Sequence, residues 1–104
     1  TAVYEFTSAI FDRFLELSRE RRITPSFIFL PAQKDYSIDK ERRTWLRQYA
    51  EQRAAPFLDL TDKIHSVKTD SVFISGNMHL NPSGHALVAA ELRRFVAGQV
   101  LTAD

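Results

Sequence analysis

The chain contains no cysteine. Disulfide scaffolds, cysteine-ligated zinc and thiol nucleophiles are excluded by that alone, while cytoplasm and periplasm both stay open. Neither sign of charge is in excess. Fourteen Lys and Arg face 13 Asp and Glu, a net of +1, which builds no field for gathering nucleic acid or an anionic membrane. Basic clusters occur at Arg19, Arg21 and Arg22 and at Lys40, Arg42 and Arg43. Glu16, Glu20, Asp39 and Glu41 lie among them, the pattern of solvated helix faces. No apolar run approaches the roughly 20 residues of a membrane span. The first residues carry no signal-peptide pattern, and a start at Thr1 rather than Met leads us to expect a segment of something longer.

What is present suits one modest domain. At 104 residues the chain should bury roughly two-thirds of its unfolded surface. The apolar supply is ample, 44% of residues with eight Phe, one Trp and three Tyr, so disorder along the whole chain is not expected. Repeats and low-complexity segments are absent.

Residues 3–20 read as a helix. Val3, Phe6, Ile10, Phe14 and Leu17 recur at three- and four-residue spacing, with Phe11 and Leu15 widening the stripe. Pro25 to Pro31, "PSFIFLP", is a short apolar run bounded by prolines, which favours a strand buried on both faces. A second helix is expected over about residues 39–53, capped by Ser37 or Asp39, with Trp45, Leu46, Tyr49 and Ala50 on its apolar face. Ala55 to Leu60 reads as a second strand, Thr61 to Ser66 as a helical turn, and Val72 to Ile74 as a third, very short extended piece. Pro82 opens a last helix marked by Leu87, Val88, Leu92, Phe95, Val96 and Val100.

This α-β-α-β-loop-α order implies right-handed crossovers and a parallel sheet with helices on its faces. Two strands make a poor sheet, each with an open edge. The expectation is therefore one half of a larger three-layer α/β domain, or a strand edge that pairs with another chain and supports self-association.

The chemistry concentrates in Gly76 to His85, "GNMHLNPSGH". His79 falls in a loop just ahead of a helix, where open α/β sheets gather their ligand-binding groups. An imidazole there can act as a general base at neutral pH. Gly76 would let the backbone turn sharply before it, and Asn81 is placed to cap the helix ahead of Pro82. His85, six residues on, reads as a packing or hydrogen-bonding residue, and His65 has no companion at ligand spacing. A metal site from His79 and His85 lacks both a recognised spacing and an acidic third ligand.

"GNMHLNPSGHALVAAEL" resembles the C-terminal block of the SGNH/GDSL hydrolase superfamily, in which an acidic residue precedes His-Leu-Asn-x-x-Gly-His. "PSFIFLPAQKDY" and "FLDLTDKI" are similar, in order, to the strands that precede that block. The likeness spans the chain, but only the last block is specific. It implies a flavodoxin-like α/β/α fold of which residues 1–104 form the C-terminal half. It also implies an ester hydrolase or acyl transferase acting on an ester or on an acylated small molecule or polysaccharide. His79 would be the base that takes a serine proton and returns it to the leaving alcohol, and His85 a structural residue. Neither cofactor nor metal is implied.

Two departures qualify the likeness. Asn77 stands where the family's acid is expected; its amide can orient His79 but cannot stabilise an imidazolium by charge. Asp70 is the nearest upstream carboxylate. The family's nucleophile in its Gly-Asp-Ser setting is also missing, since none of the eight serines has that context and nothing nearby resembles an oxyanion hole. The serine is then expected on a missing N-terminal part. The alternative is a catalytically inactive binding module of the same fold.

Overall fold

A computed structural model describes residues 2–34 and 36–102, with side chains through residue 99 of the last helix. The elements run α1 (Ala2–Glu20), β1 (Phe27–Phe29), α2 (Ser37–Gln52), β2 (Phe57–Asp59), α3 (Thr61–His65), α4 (Thr69–Val72) and α5 (Pro82–Thr102). The chain is a mixed α/β protein, predominantly helical, with one two-stranded parallel sheet. The expected order therefore holds. Of the short extended piece expected over Val72 to Ile74, Val72 instead closes the short helix α4, while Phe73 is extended and pairs with Leu80 in an isolated antiparallel bridge that adds no strand to the sheet. Val72 and Phe73 are buried against Leu60 and Ile64, which is why the stretch is apolar without being a strand.

The two strands pair in register, Phe27 with Phe57, Ile28 with Leu58 and Phe29 with Asp59. Because side chains alternate across a strand, two cores form. Phe27 joins Tyr49 and Ala50 of α2, with Phe11, Leu15, Trp45 and Phe57 packed around them. Leu58 belongs to the other face, with Leu60, Ile64, Val72, Phe73, Leu87 and Val88. Helices α1 and α2 thus cover one face of the sheet and α5, with the short α3 and α4, the other.

Three sequence-based expectations change in detail. Neither Ser37 nor Asp39 caps α2. Tyr36 is the N-cap, with no side-chain bond, and its carbonyl accepts the amides of Asp39 and Lys40, which leaves Ser37 and Asp39 inside the first turn. Strand β1 is not buried on both faces: Phe27 is buried, but Ile28 is 36% exposed because α5 reaches Leu58 and not its neighbour on β1. The stripe on α1 is split as well. Phe11 and Leu15 pack on the sheet, whereas Val3, Phe6 and Ile10 face outward and Phe14, half exposed, sets its ring edge-on against Phe27. Val100, counted in the apolar stripe of α5, has a side chain outside the described ones.

Candidate active site

The site is built by the turn that joins α4 to α5. The Asn77 amide donates to the carbonyl of Ile74 at 3.0 Å, closing a four-residue turn. Gly76 occupies its third position with φ +69°, where a side chain would be strained. Phe73 and Leu80 then pair across the loop, and the Ile74 amide donates to the His79 carbonyl at 2.9 Å. At the far end Asn81 caps α5: its side-chain oxygen accepts the Gly84 amide at 2.7 Å, and its carbonyl accepts the His85 amide at 2.9 Å. The Asn81 amide donates to the Val72 carbonyl, tying the helix start to α4. Gly84 is required by that closeness, because a Cβ there would lie 2.1 Å from the Val72 carbonyl oxygen. Both glycines of the motif thus have a local backbone reason.

His79 is exposed, and so is Asn77. The side-chain oxygen of Asn77 accepts two hydrogen bonds from the histidine, from its backbone amide at 2.9 Å and from ring Nδ1 at 2.5 Å. A backbone N–H can only donate, so the Asn77 atom facing it is the oxygen, and Nδ1 must carry a proton to bond that same oxygen. The neutral ring therefore keeps its lone pair on Nε2, the nitrogen with no partner among the described residues. Asn77 is held in turn by the Gln33 side chain, whose Nε2 donates to the Asn77 carbonyl. His65 fastens the adjoining segment, with its Nε2–H donating to the Ala32 carbonyl at 2.8 Å.

Beside the ring lies an open cleft of about 380 Å³ lined by Leu30, Pro31, Ala32, Asp39, Phe73, Met78, His79, Leu80 and His85. Leu30 follows the last residue of β1, so the cleft sits at the carboxyl end of that strand. The walls are mainly apolar. Among the described residues no serine lines it.

His79 and Asn77 are brought together, as the sequence reading requires. His85 is not a packed residue: it is exposed, faces the same cleft and makes no side-chain hydrogen bond among the described residues. Asp70, the upstream carboxylate considered as a substitute acid, lies exposed on α4 and only its carbonyl approaches the motif, 3.5 Å from the Asn81 side chain. The carboxylate that does share the cleft with His79 is Asp39, from the first turn of α2. It and Gln33 were missed. The signal for both was their place after the carboxyl end of β1. Among the described residues no three His, Cys, Asp or Glu side chains are grouped to hold a metal.

No family model, curated protein or solved structure matches this chain.

Proposed function

We propose that the chain is the histidine-bearing portion of an SGNH/GDSL-type serine hydrolase, acting by ester hydrolysis or acyl transfer. On this reading residues 1–104 form the C-terminal half of a three-layer α/β/α, flavodoxin-like domain. The observation that carries it is the His79 imidazole, exposed at a cleft beyond the carboxyl end of β1 and oriented through Nδ1 by Asn77. Helices on both faces of the parallel pair, and the open edge of β1, are consistent with the larger sheet.

The chemistry follows from the tautomer. Nε2 accepts the proton of a serine hydroxyl as the oxygen attacks an ester carbonyl, and the imidazolium returns that proton to the departing alcohol. Asn77 fixes the ring but supplies no countercharge. Asp39, in the same cleft, is the carboxylate available to offset the positive ring. The apolar walls at Leu30, Pro31, Met78 and Leu80 suit an acyl group better than a sugar hydroxyl. The serine and its oxyanion-hole donors come from polypeptide other than these residues.

The decisive experiment is ester turnover by the longer polypeptide bearing these residues. His79→Ala should abolish turnover and leave the melting temperature unchanged, since an exposed ring contributes little packing; unchanged turnover rejects the general-base role.

A second reading, an inactive binding module on the same frame, is favoured by Asn77 itself. An amide in place of a triad acid costs on the order of 10⁴-fold in turnover. Asn77→Asp separates the two. A gain of turnover of about 10-fold or more supports the hydrolase, and no turnover in either form supports the module.

A further inference from the structure

The chain has two asparagines, Asn77 and Asn81, and both lie in the motif ahead of α5. An asparagine converts to an acid when the backbone nitrogen of the next residue attacks its side-chain amide carbon. The reacting atoms belong to adjacent residues, so the cyclic imide closes without any encounter. Inside a helix or a ladder that N–H is tied into a hydrogen bond, which suppresses the reaction.

The two asparagines differ on this count. Asn81 is followed by Pro82, whose nitrogen has no hydrogen to give up. Asn77 is followed by Met78, which is 83% exposed and whose amide donates to no group among the described residues. Asn77 itself is exposed and lies outside every helix and strand, so water reaches it.

Its side-chain oxygen is also singular. Oδ1 accepts from the His79 backbone amide at 2.9 Å and from ring Nδ1 at 2.5 Å. Both donors are aimed at the atom on which negative charge grows as the amide carbon is attacked, which is the arrangement of an oxyanion hole. Gln33 Nε2 donates to the Asn77 backbone carbonyl. Drawing electron density toward that oxygen makes the N–H of the same peptide group, that of Met78, easier to deprotonate.

We propose that Asn77 is a self-modifying site, which the folded loop converts to aspartate. In the first step the Met78 nitrogen bonds to Cγ of Asn77, and Nδ2 leaves as ammonia with the proton that Met78 gives up. In the second, water opens the imide. Its hydroxyl goes to Cγ and its hydrogen returns to the Met78 nitrogen as the bond between them breaks. The sum is amide plus water to carboxylic acid plus ammonia, with nothing oxidised or reduced. Two donors at Oδ1 against one at the backbone carbonyl direct the water to Cγ, which yields aspartate rather than isoaspartate. The new carboxylate keeps both hydrogen bonds from His79 and adds the negative charge that the amide lacks. The conversion stands on the loop geometry; its effect on ester turnover rests on the hydrolase reading.

The test is incubation of the 104-residue chain at neutral pH beside an unstructured peptide of residues 74–80, with conversion followed by mass spectrometry of the digested chain. The folded chain should convert at position 77 at least about 10-fold faster than the peptide, with aspartate in excess of isoaspartate. His79→Ala, which removes the ring donor, should slow the folded chain by about 10-fold or more, and Met78→Pro should stop conversion. A peptide that converts as fast as the folded chain overturns the proposal. So does conversion that either substitution leaves unchanged, and so does isoaspartate as the main product. Turnover is read separately in the longer polypeptide: conversion without a gain in turnover defeats only the hydrolase reading, and turnover without conversion defeats only the self-modification.

Discussion

At the scale of the residue, Asn77 decides what His79 can do. By taking the Nδ1 proton into a hydrogen bond it selects the tautomer with a free Nε2. The imidazole ¹⁵N spectrum at neutral pH should show the Nδ1–H form for His79, and Asn77→Ala should return the ring to a mixture. A ring that stays in one tautomer after that change would refute the orienting role. Gly84 is the other residue with no substitute. Its missing Cβ makes room for the Val72 carbonyl and for Leu80 Cδ2, 2.9 Å away. Gly84→Ala should lower stability by about 1–3 kcal/mol in urea titrations, through forced separation of α4 from α5. The Asn77 role was legible in advance because it acts on a residue two positions away; the Gly84 role was not read from the sequence, because it depends on how closely α4 approaches α5. Asp39 and Gln33 were not, because about 40 residues separate each of them from the histidine they approach.

At the scale of the element, both helices on the first face end alike. The Ile23 amide donates to Ser18 and the Arg22 amide to Arg19; likewise Ala55 to Ala50 and Ala54 to Glu51. Each pair closes a Schellman motif. The residue it turns left-handed is Arg22 at φ 57° in one case and Ala54 at φ 53° in the other, positions where glycine is the usual choice. Ala54→Gly should therefore raise the unfolding free energy, by up to about 1 kcal/mol. Between these helices Asp12 accepts hydrogen bonds from Tyr49 and Arg53, and the Arg53 guanidinium stacks on the Tyr49 ring.

That cluster gives the fold two pH limits. Burial, followed by the hydrogen bond to Asp12, pushes Tyr49 up to about 12. Its folded value exceeds its unfolded value, so the stability it contributes is complete below about pH 10 and is lost as pH rises through 12. Tyr49→Phe should flatten this alkaline decline while costing about 1 kcal/mol at neutral pH, measurable as thermal melts across that range. Asp12 runs the other way. Hydrogen bonds from Arg53, and then Tyr49, hold its carboxyl below the usual value, so its contribution is present at neutral pH and fades as pH falls through the lowered value.

At the scale of the whole molecule the controlling fact is incompleteness of cover. Two small cores, one on each face of the strand pair, leave much of the apolar surface of α1 and β1 in water. Unfolding then exposes less new surface than is usual for this length. The urea slope of the 104-residue chain should accordingly fall near the low end for small domains, about 1 kcal/mol per molar; a slope near 2 would mean that the face is covered in solution. Among the described residues no helix is long and apolar enough to cross a membrane.

By itself the sequence determined the elements and their order, because helical spacing and proline-bounded apolar runs are local signals. It also set the histidine, asparagine and glycine pattern ahead of α5. Only the tertiary structure decided which apolar line of α1 is packed, that Val72 ends a short helix while the extended Phe73 bridges Leu80 outside the sheet, and that Asp39 shares a cleft with His79. Apolar periodicity records that a face avoids water without recording what covers it, and a carboxylate finds its partner through the path of the whole chain.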